Sequence, residues 1–394
     1  MTFTVDKTNW TPVTLGEVVA KSKKKVNPME SRLERYVAGE HMDSNELTIQ
    51  RWGTIGDGYL GPAFHMYFRP GQVLYGSRRA YLRKVALADF EGICANTTYV
   101  LEPKDERILL PEFLPLVMSA EPFHRFAISV SKGSTNPYVN WSDIAQYKFL
   151  LPPIDEQQRI ADLLWRLENT KNEIFKASKA VLKARDAVVS FQYKNARKKS
   201  LRDLVSLSHG HSVPSSLYQD EGLPLLRPGD MKSSLEISWS QTTKRIPYEW
   251  AEKFSDWILK AGDLVINMTA QNLDDRFLGR VCVAHDEAFQ NQRIGKLLPI
   301  NEEVNLRVIA YLLDSEDFNS WVNRQAEGSK VKHMHWRHIE GFEIPELTDD
   351  ECRRFLHTMS RFENLSQDLK REFLALKRME TMLTTSFCGG FDVH

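Results

Sequence analysis

Apolar and small residues recur at alternating steps of three and four along a segment that begins at Asp155 and has no glycine or proline before Gly210. The stripe consists of Ile160, Leu163, Leu167, Thr170, Ile174, Ala177, Val181, Ala184, Val188 and Phe191. So narrow a stripe is typical of a coiled-coil seam and not of the broad apolar face that a helix turns to a domain core. The pattern predicts one helix of about 40 residues, or roughly 60 Å.

A second segment near the end of the sequence keeps the same spacing. Its seam is Phe355, Thr358, Phe362, Leu365, Leu369, Glu372, Leu376, Met379 and Leu383. Glu372 interrupts the stripe, and Phe373 beside it can compensate. Because one seam on a soluble chain needs a partner, we expect the two helices to form an antiparallel intramolecular coiled coil. The alternative is that each helix lies on its own globular domain.

The two helices belong to an internal repeat with an offset of 195 residues. Gly133-Ser134 falls on Gly328-Ser329, Trp141 falls on Trp336, and the segment DEQQRI at 155–160 falls on DECRRF at 350–355. Upstream, RPGQVLYG at 69–76 resembles KAGDLVIN at 260–267. A period near 195 residues, followed more loosely upstream, indicates a tandem duplication.

Each copy places short β-type runs before its helix. Examples are YVLEP, QVLYG and YKFLL in the first copy, and DLVINM and KLLPI in the second. We therefore predict an α+β fold with pseudo-twofold symmetry, in which two long helices separate two globular domains. The predicted domains are residues 1–153 and 200–348, with helices over 154–199 and 349–390.

Composition narrows the class of protein. The 52 lysines and arginines equal the 52 aspartates and glutamates, so net charge predicts no polyanionic partner. The four cysteines form no C-x-x-C pair, which argues against a disulfide framework or a cysteine-rich zinc site. Neither a basic start with an apolar run nor a stretch of about 18 apolar residues is present. A cytoplasmic protein without a membrane span is expected.

Familiar catalytic motifs are missing from the sequence. It contains no phosphate-binding G-x-x-x-x-G-K-[ST] loop, no G-x-G-x-x-G, no G-x-S-x-G and no H-E-x-x-H. The histidines of HMHWRH at 333–338 are the best metal candidates, but the first copy has Tyr138, Asn140 and Asp143 at the matching places. Zinc and other metals are therefore not predicted.

One stretch resembles a catalytic box. Asn136-Pro137-Tyr138 is one proline short of the Asn-Pro-Pro-Tyr box of amino-methylating DNA enzymes. The second copy has Val331-Lys332-His333 instead, so we interpret the likeness as accidental and the segment 131–141 as a hinge before the helix. A DNA adenine methyltransferase with a degenerate box stays open as an alternative from a different class.

Basic and amide side chains mark the candidate DNA contacts. Arginine suits phosphate and guanine edges, whereas glutamine and asparagine suit adenine. In the first copy the candidates are Lys23, Lys24, Arg78, Arg79, Tyr81, Arg83, Lys84, Ser134 and Thr135. In the second copy they are Arg227, Asn267, Gln271, Asn272, Arg276, Lys330 and Lys332. Because the frames of the two copies agree while these loops differ, the copies are suited to reading two different half-sites.

The segment NWSDIAQYKFLLPPIDEQQRIADLL at 140–164 resembles the strand-to-helix junction of type I restriction-modification specificity subunits. That family carries a double proline at the strand end and an E-Q-x-x-I start to the helix. The likeness extends over nearly the whole chain, including RYVAGEHMDSNELTIQRWG at 35–53 and SHGHSVPSSLYQDEGLPLLRPGDM at 208–231. The second helix start departs from the pattern, since Cys352 replaces the glutamine and ELTDD replaces the double proline.

The resemblance implies a non-catalytic DNA-recognition subunit whose two domains each read one half of a bipartite double-stranded target. The helices would set the spacer and dock two methyltransferase subunits through Ile160, Leu163, Leu167, Ile174, Val181, Val188, Phe355, Phe362, Leu369, Leu376 and Leu383. S-adenosylmethionine would bind to those subunits, and ATP and Mg²⁺ to separate restriction and translocation subunits, with no cofactor or metal on this chain. The specificity chain of a type IIB-like system is an equally compatible alternative.

Overall fold

The computed structural model describes residues 5–233, 235–271, 273, 276–328 and 331–388. Contacts between residues group the chain into two compact units. The first contains the residues up to Lys176 together with those from Leu369 onward, and the second runs from Ala177 to Asp368. Within the described residues, no helix combines the length and the apolar character that crossing a bilayer requires.

The first unit contains two four-stranded sheets and one strand pair. One sheet has the order β2-β9-β6-β7, the other has the order β4-β3-β8-β5, and β1 pairs with β10. All pairings are antiparallel except that of β3 with β8. The strands are β1 Thr11–Thr14, β2 Val19–Lys21, β3 Arg35–Val37, β4 Gly53–Thr54, β5 Phe64–Phe68, β6 Val73–Gly76, β7 Val85–Leu87, β8 Gly92–Ala95, β9 Thr98–Pro103 and β10 Lys148–Leu151.

Helices cover one face of the first sheet. They are α1 Leu15–Val18, α2 Leu114–Ser119, α3 Glu121–Ser129, α4 Trp141–Ile144 and the long α5 Ile154–Asn195, which continues into the second unit. The core joins Leu15, Tyr75 and Phe123 of the globular part to Leu164 of α5. The second sheet has a smaller core of its own around Phe68.

The second unit repeats this plan with one extra edge strand and one extra strand pair. Its sheets have the orders β12-β21-β17-β19-β14 and β15-β13-β20-β16, while β11 pairs with β23 and β18 with β22. The strands are β11 Lys198–Ser200, β12 Val205–His209, β13 Leu223–Leu226, β14 Leu235–Glu236, β15 Arg245–Ile246, β16 Ile258–Leu259, β17 Leu264–Asn267, β18 Thr269–Ala270, β19 Val281–Val283, β20 Ala288–Gln290, β21 Ile294–Pro299, β22 Lys332–His333 and β23 Glu343–Pro345.

The helices of the second unit also follow the first copy. They are α6 Tyr248–Glu252, α7 Leu306–Leu313, α8 Glu316–Gln325, α9 Trp336–Ile339 and the long α10 Asp349–Cys388, which ends in the first unit. The core of this unit joins Ile266 and Phe318 to Val189 of α5 and Met359 of α10. The predicted α+β fold with two long helices is confirmed, but each unit takes half of each helix, so the helices are not separate from the globular parts.

The start of α5 is fixed by the residues that precede it. Pro152 and Pro153 end β10, and the backbone N–H groups of Glu156 and Gln157 donate to the Pro153 carbonyl. The fully buried Gln157 side chain accepts from the Leu110 N–H at 2.9 Å and donates to the Pro152 carbonyl at 2.8 Å. The glutamine of the E-Q signature therefore acts inside the fold.

In both helices, the predicted seam residues at every seventh position face inward. Between them, the inward residue is mostly a neighbour of the predicted one. Leu163 was expected in the seam and is instead 43% exposed, whereas Leu164 is buried. The other predicted seam positions that prove exposed are Thr170, Ala184, Phe191, Leu365, Glu372 and Met379. Of the residues named above as coiled-coil and docking positions, only Leu163 lies outside the observed seam. Successive inward residues are separated by four positions and then three, whereas the predicted order is three and then four. Several of the intermediate inward positions hold polar residues.

The observed inward positions show this directly. On α5 they are Ile160, Leu164, Leu167, Lys171, Ile174, Ser178, Val181, Arg185 and Val188. On α10 they are Phe355, Met359, Phe362, Ser366, Leu369, Phe373, Leu376, Glu380 and Leu383. Polar residues at such positions lower the stability of a helix pair and fix its register.

Candidate nucleic-acid interface

In the first unit, the loop after β6 packs against a hairpin that precedes α4. The hairpin closes through reciprocal backbone hydrogen bonds between Lys132 and Tyr138, at 2.8 and 2.9 Å. Gly133 turns the chain with a φ of +88°, which favours glycine. The Arg79 N–H donates to the Pro137 carbonyl at 2.6 Å, which fastens the loop to the hairpin. The segment interpreted as a hinge is therefore a hairpin that supports a loop.

The contact between the loop after β6 and the hairpin is called the joint. It brings together four of the predicted contacts. Arg78 and Arg79 are exposed on the loop, and Ser134 and Thr135 are exposed on the hairpin. The Arg78 guanidinium lies 4.9 Å from the centre of the Tyr138 ring, which orients it without neutralising its charge. A planar cation held in this way can form bidentate contacts with guanine or phosphate.

A further cation that the candidate list omitted belongs to the same surface. Lys21 places its ammonium 3.9 Å from the centre of the Tyr99 ring, and the Tyr99 hydroxyl donates to the Val139 carbonyl beside the hairpin. Partial burial, with a contribution from Lys23, lowers the pKa of Lys21. Lys23 and Lys24 are exposed close by in sequence. The run KSKKK at 21–25 signalled this cation.

Two other cations of the first copy are engaged inside the unit. Arg83, at a φ of +51°, forms an ion pair of 2.7 Å with Glu121 at the start of α3. The Lys84 ammonium donates to the Gly39 carbonyl. Tyr81, in the short turn just before Arg83, is 53% exposed. These contacts favour structural roles for Arg83 and Lys84, which sequence composition could not distinguish from DNA contacts.

The second unit builds the same joint from different residues. Strand β18 follows β17 as the Arg78 loop follows β6, and it pairs with β22, so that Thr269 lies opposite His333 and Ala270 opposite Lys332. Gly328 turns this hairpin with a φ of +98°. Thr269 thus occupies the place of Arg78, since His333 is the counterpart of Tyr138. The frame is repeated while the side chains that it presents are not.

The cation and the amide predicted nearest to this joint are used internally. Arg276 lies 2.5 Å from Glu316 at the start of α8 and 3.7 Å from Asp186 of α5. The Asn267 amide is fully buried and donates to the Phe277 carbonyl at 2.8 Å. Asn267 is therefore inaccessible to DNA in this structure, and the contact predicted for it is corrected to a structural one.

The remaining candidates of the second copy are spread around the joint. Gln271 is exposed immediately after β18, and Lys332 is half-buried within β22. Arg227 is half-buried at the end of β13. Asn272 and Lys330 lie outside the described residues. Of these candidates, Gln271 is exposed at the joint, whereas the Lys332 ammonium donates to the Gly328 carbonyl of its own hairpin at 2.7 Å.

The histidines of HMHWRH do not assemble a metal site in the part of the chain that the structure describes. His333 and His335 are exposed, whereas His338 is buried with its Nε2 atom 3.1 Å from the Glu327 carboxylate. The Nδ1 atom of His338 accepts from the His335 backbone N–H. His338 therefore fastens α9 to the hairpin.

Comparisons with known proteins agree with this geometry. A family model described as the type I restriction modification DNA specificity domain matches residues 7–184. The specificity subunit of the type I restriction enzyme MjaVIII from Methanocaldococcus jannaschii is 22% identical over 302 residues, which cover 72% of this chain and 70% of that protein. Residues 7–184 are therefore similar to the type I DNA specificity domain, and the chain as a whole is similar to a type I specificity subunit. The resemblance in the sequence is thereby confirmed, and the internal repeat extends the matched frame to the second unit.

Two solved structures share the fold over nearly the whole length. The type I restriction-modification S subunit from M. genitalium is 14% identical with a TM-score of 0.59, and each chain is covered completely. A chain solved to explain complex assembly and conformational transition of the type I R-M system is 21% identical with a TM-score of 0.57, covering 97% of this chain and 98% of that one. At these identities the likeness concerns the fold alone.

Proposed function

We propose that this chain is the DNA sequence-specificity subunit of a type I restriction-modification complex and is itself non-catalytic. Each unit reads one half of a bipartite double-stranded target. The long helices set the spacer and dock two methyltransferase subunits, and restriction subunits join this core. S-adenosylmethionine belongs to the methyltransferases, and ATP and Mg²⁺ belong to the restriction subunits.

The observation that carries the proposal is the repeated joint of loop and hairpin. Both units support a surface loop in the same way, yet the first offers Arg78 and Arg79 where the second has Thr269 and the buried Ala270, followed by the exposed Gln271. Arginine discriminates guanine and glutamine discriminates adenine in the major groove. One frame with two chemistries is suited to two different half-sites.

The length and the exposed apolar side chains of the two long helices suit the proposed spacing of the half-sites and docking of the methyltransferase subunits. Helix α5 has 42 residues and α10 has 40, so each extends roughly 60 Å. Half-sites one turn of B-DNA apart are separated by about 34–36 Å. Both helices also expose large apolar side chains that suit a protein partner: Leu163, Phe175, Leu182, Phe191, Leu365, Leu374, Met379 and Met382.

Genome-wide mapping of methylated bases tests the proposal in cells that contain this chain and its partner methyltransferase. A bipartite motif with two defined halves is expected. Arg78→Lys removes the bidentate fork and keeps the charge, so it should relax one base position in one half only. Gln271→Ala should change the other half. Arg107→Ala is the control, because Arg107 is 89% exposed beyond the far end of β9. A motif without two separable halves would contradict the proposal.

The methyltransferase alternative makes an opposite prediction. It requires the purified chain to bind S-adenosylmethionine through the region of Asn136. Tyr138 is the hairpin partner of Lys132 and lies under Arg78, which favours a supporting role. Calorimetric titration of the chain with S-adenosylmethionine should give no binding heat. A saturable signal that Asn136→Ala abolishes would support the enzyme instead.

A further inference from the structure

A glycine-rich loop in the first unit exposes an aromatic ring that the candidate list did not include. The loop spans residues 55–63, with the sequence IGDGYLGPA, between β4 and β5. Tyr59 at its tip is 92% exposed. Gly56, Gly58 and Gly61 have open space where a Cβ atom would lie, and Gly56 has a φ of +105°. The loop thus presents a phenol ring on a backbone with few steric restraints.

This loop leaves the unit at the edge that also carries Arg78. The Asn96 N–H donates to the Ala63 carbonyl at 2.9 Å, which fixes the end of the loop to the turn between β8 and β9. The next residue of that turn, Thr97, accepts from both the N–H and the hydroxyl of Ser77, at 3.0 and 2.6 Å. One short turn therefore fastens the glycine-rich loop and the Arg78 loop side by side.

The corresponding place in the second unit is built in the opposite way. Strand β15 pairs with β13 as β4 pairs with β3, and β16 pairs with β20 as β5 pairs with β8. The intervening residues 247–257 contain α6, and their aromatic rings pack on His211. Phe254 and Trp257 lie 4.5 and 4.7 Å from that ring. The second copy packs these aromatic rings, whereas the first copy exposes Tyr59.

The chemistry of the loop favours contact with bases over contact with phosphates. Asp57 is exposed two residues from Tyr59, and its carboxylate is repelled by a phosphate backbone. An exposed ring gains free energy by stacking on a base, and apolar or aromatic wedges that enter a base step kink the duplex. Open glycines allow the ring to reach a groove beside the one that Arg78 and Arg79 approach.

We infer that Tyr59 inserts at a base step flanking the half-target read by the first unit, and that it bends the DNA there. This inference rests on the proposed function. It assigns to the first unit a shape-dependent contribution to specificity at positions where no hydrogen bond reads the base. The second unit is not assigned this contribution, because Phe254 and Trp257 of the equivalent segment pack on His211 and Tyr248 is held in α6.

The test uses the complex assembled with the partner methyltransferase and duplexes that contain the target found by methylation mapping. Tyr59→Ala should weaken binding about tenfold, and Tyr59→Phe should retain nearly all of it. A 2-aminopurine placed along the flank of the first half-target should brighten on binding of wild-type protein and stay quenched with Tyr59→Ala. Because Tyr59 is exposed, the variant is expected to fold normally, which thermal unfolding checks.

Tyr248→Ala is the matched control, since Tyr248 is 55% exposed in the equivalent segment of the second unit. It should alter neither affinity nor 2-aminopurine fluorescence. If wild-type protein directs methylation to a bipartite target while Tyr59→Ala binds and bends DNA as wild type does, the inference about Tyr59 is wrong and the proposed function stands. If no bipartite target is found, the proposed function itself is wrong.

Discussion

The two units anchor helix α5 in different ways. In the first unit Lys171 is buried between Glu168 of the same helix and Glu380 of α10, at 2.6 and 2.5 Å. In the second unit Arg185, an inward position of α5, pairs at 2.9 Å with Asp314, a buried residue that directly follows α7. The first ion pair joins α5 to α10, whereas the second joins α5 to the residue that follows α7.

The repeat makes this contrast informative. With an offset of 195 residues, the counterpart of Lys171 is Ser366 and the counterpart of Glu380 is Arg185. Every seventh seam position is apolar in both copies, whereas the charged seam residues of one copy have no charged counterpart of the same kind in the other. Burial opposes the charge on Lys171, but Glu168 and Glu380 together raise the pKa of Lys171. Each unit thus has its own buried ion pair on a common apolar frame.

Removing the lysine of the first anchor should have the largest effect. Lys171→Met leaves two buried carboxylates without their cation, and breaking a buried pair in this way costs about 3–5 kcal/mol. The loss should appear in hydrogen exchange of first-unit amides and leave those of the second unit unchanged. Lys176→Met is the control, because Lys176 and its partner Glu173 are both more than half exposed. Equal losses in both units would contradict separate anchors.

The second anchor should give the reciprocal result. Arg185→Met removes the cation that pairs with Asp314, whose side chain is 5% exposed, and is expected to destabilise the second unit by about 3 kcal/mol. Burial lowers the pKa of Arg185, yet Asp314 and Asp186 more than offset it and raise that pKa overall. Lys183→Met, on the exposed side of α5, should change little. Hydrogen exchange that weakens mainly in the first unit would show that Arg185 acts elsewhere.

Adjacent leucines test the register that both units share. Leu164→Ala removes a side chain that is 1% exposed and should destabilise the first unit by about 2.5 kcal/mol. Leu163→Ala removes a partly exposed neighbour and should cost less than about 1 kcal/mol. Urea unfolding of the two variants measures the difference. The same Leu163 variant should still reduce association with the methyltransferase if that face docks it.

The smallest expected effect is a dependence on pH that only the first anchor has. Burial raises the pKa of Glu380 to about 7, against the lowering effect of Lys171. The folded-state pKa of Glu380 exceeds its ordinary value of 4.5. The contribution of Glu380 to stability is therefore complete below pH 4.5 and is lost as pH rises through about 7.

Relative to Glu380→Gln, wild-type stability of the first unit should therefore fall as pH rises from about 4.5 to about 7 and should change no further above that range. His124 has the opposite sign. Burial lowers the pKa of His124 to about 4, so its contribution is lost only as pH falls below its ordinary value of 6.5. A stability difference between wild type and Glu380→Gln that stays constant from pH of about 4.5 to about 7 would contradict the role of Glu380.

The apolar part of the fold could be predicted from the sequence and the charged part could not. Every seventh seam residue was found because an apolar side chain at a fixed spacing is favoured only when it is buried. Lys171 and Arg185 resemble solvated surface residues until the partner carboxylates are in place. Glu380 lies 209 positions after Lys171, and no local pattern connects them.

The candidate interface shows the same limit. Composition correctly marked the loop with Arg78 and Arg79 as exposed and cationic. It could not separate these residues from Arg83, which faces Glu121 a few residues away in space. Likewise the amide of Asn267 suits adenine in principle, but the fold uses it to bond the Phe277 carbonyl. Which polar groups are free depends on packing that the sequence does not display.

The pairing of Lys171 with Glu380 also sets an order of events during synthesis. The second unit is one continuous segment, from Ala177 to Asp368, whereas the first needs residues from Leu369 onward. At about 5–20 residues per second, the ribosome takes roughly 10–40 s to travel from the lysine to its distant partner. During that interval the nascent first unit holds its half of α5 with Ile160 and Leu164 uncovered by Leu383. The unit that is made first is therefore completed last.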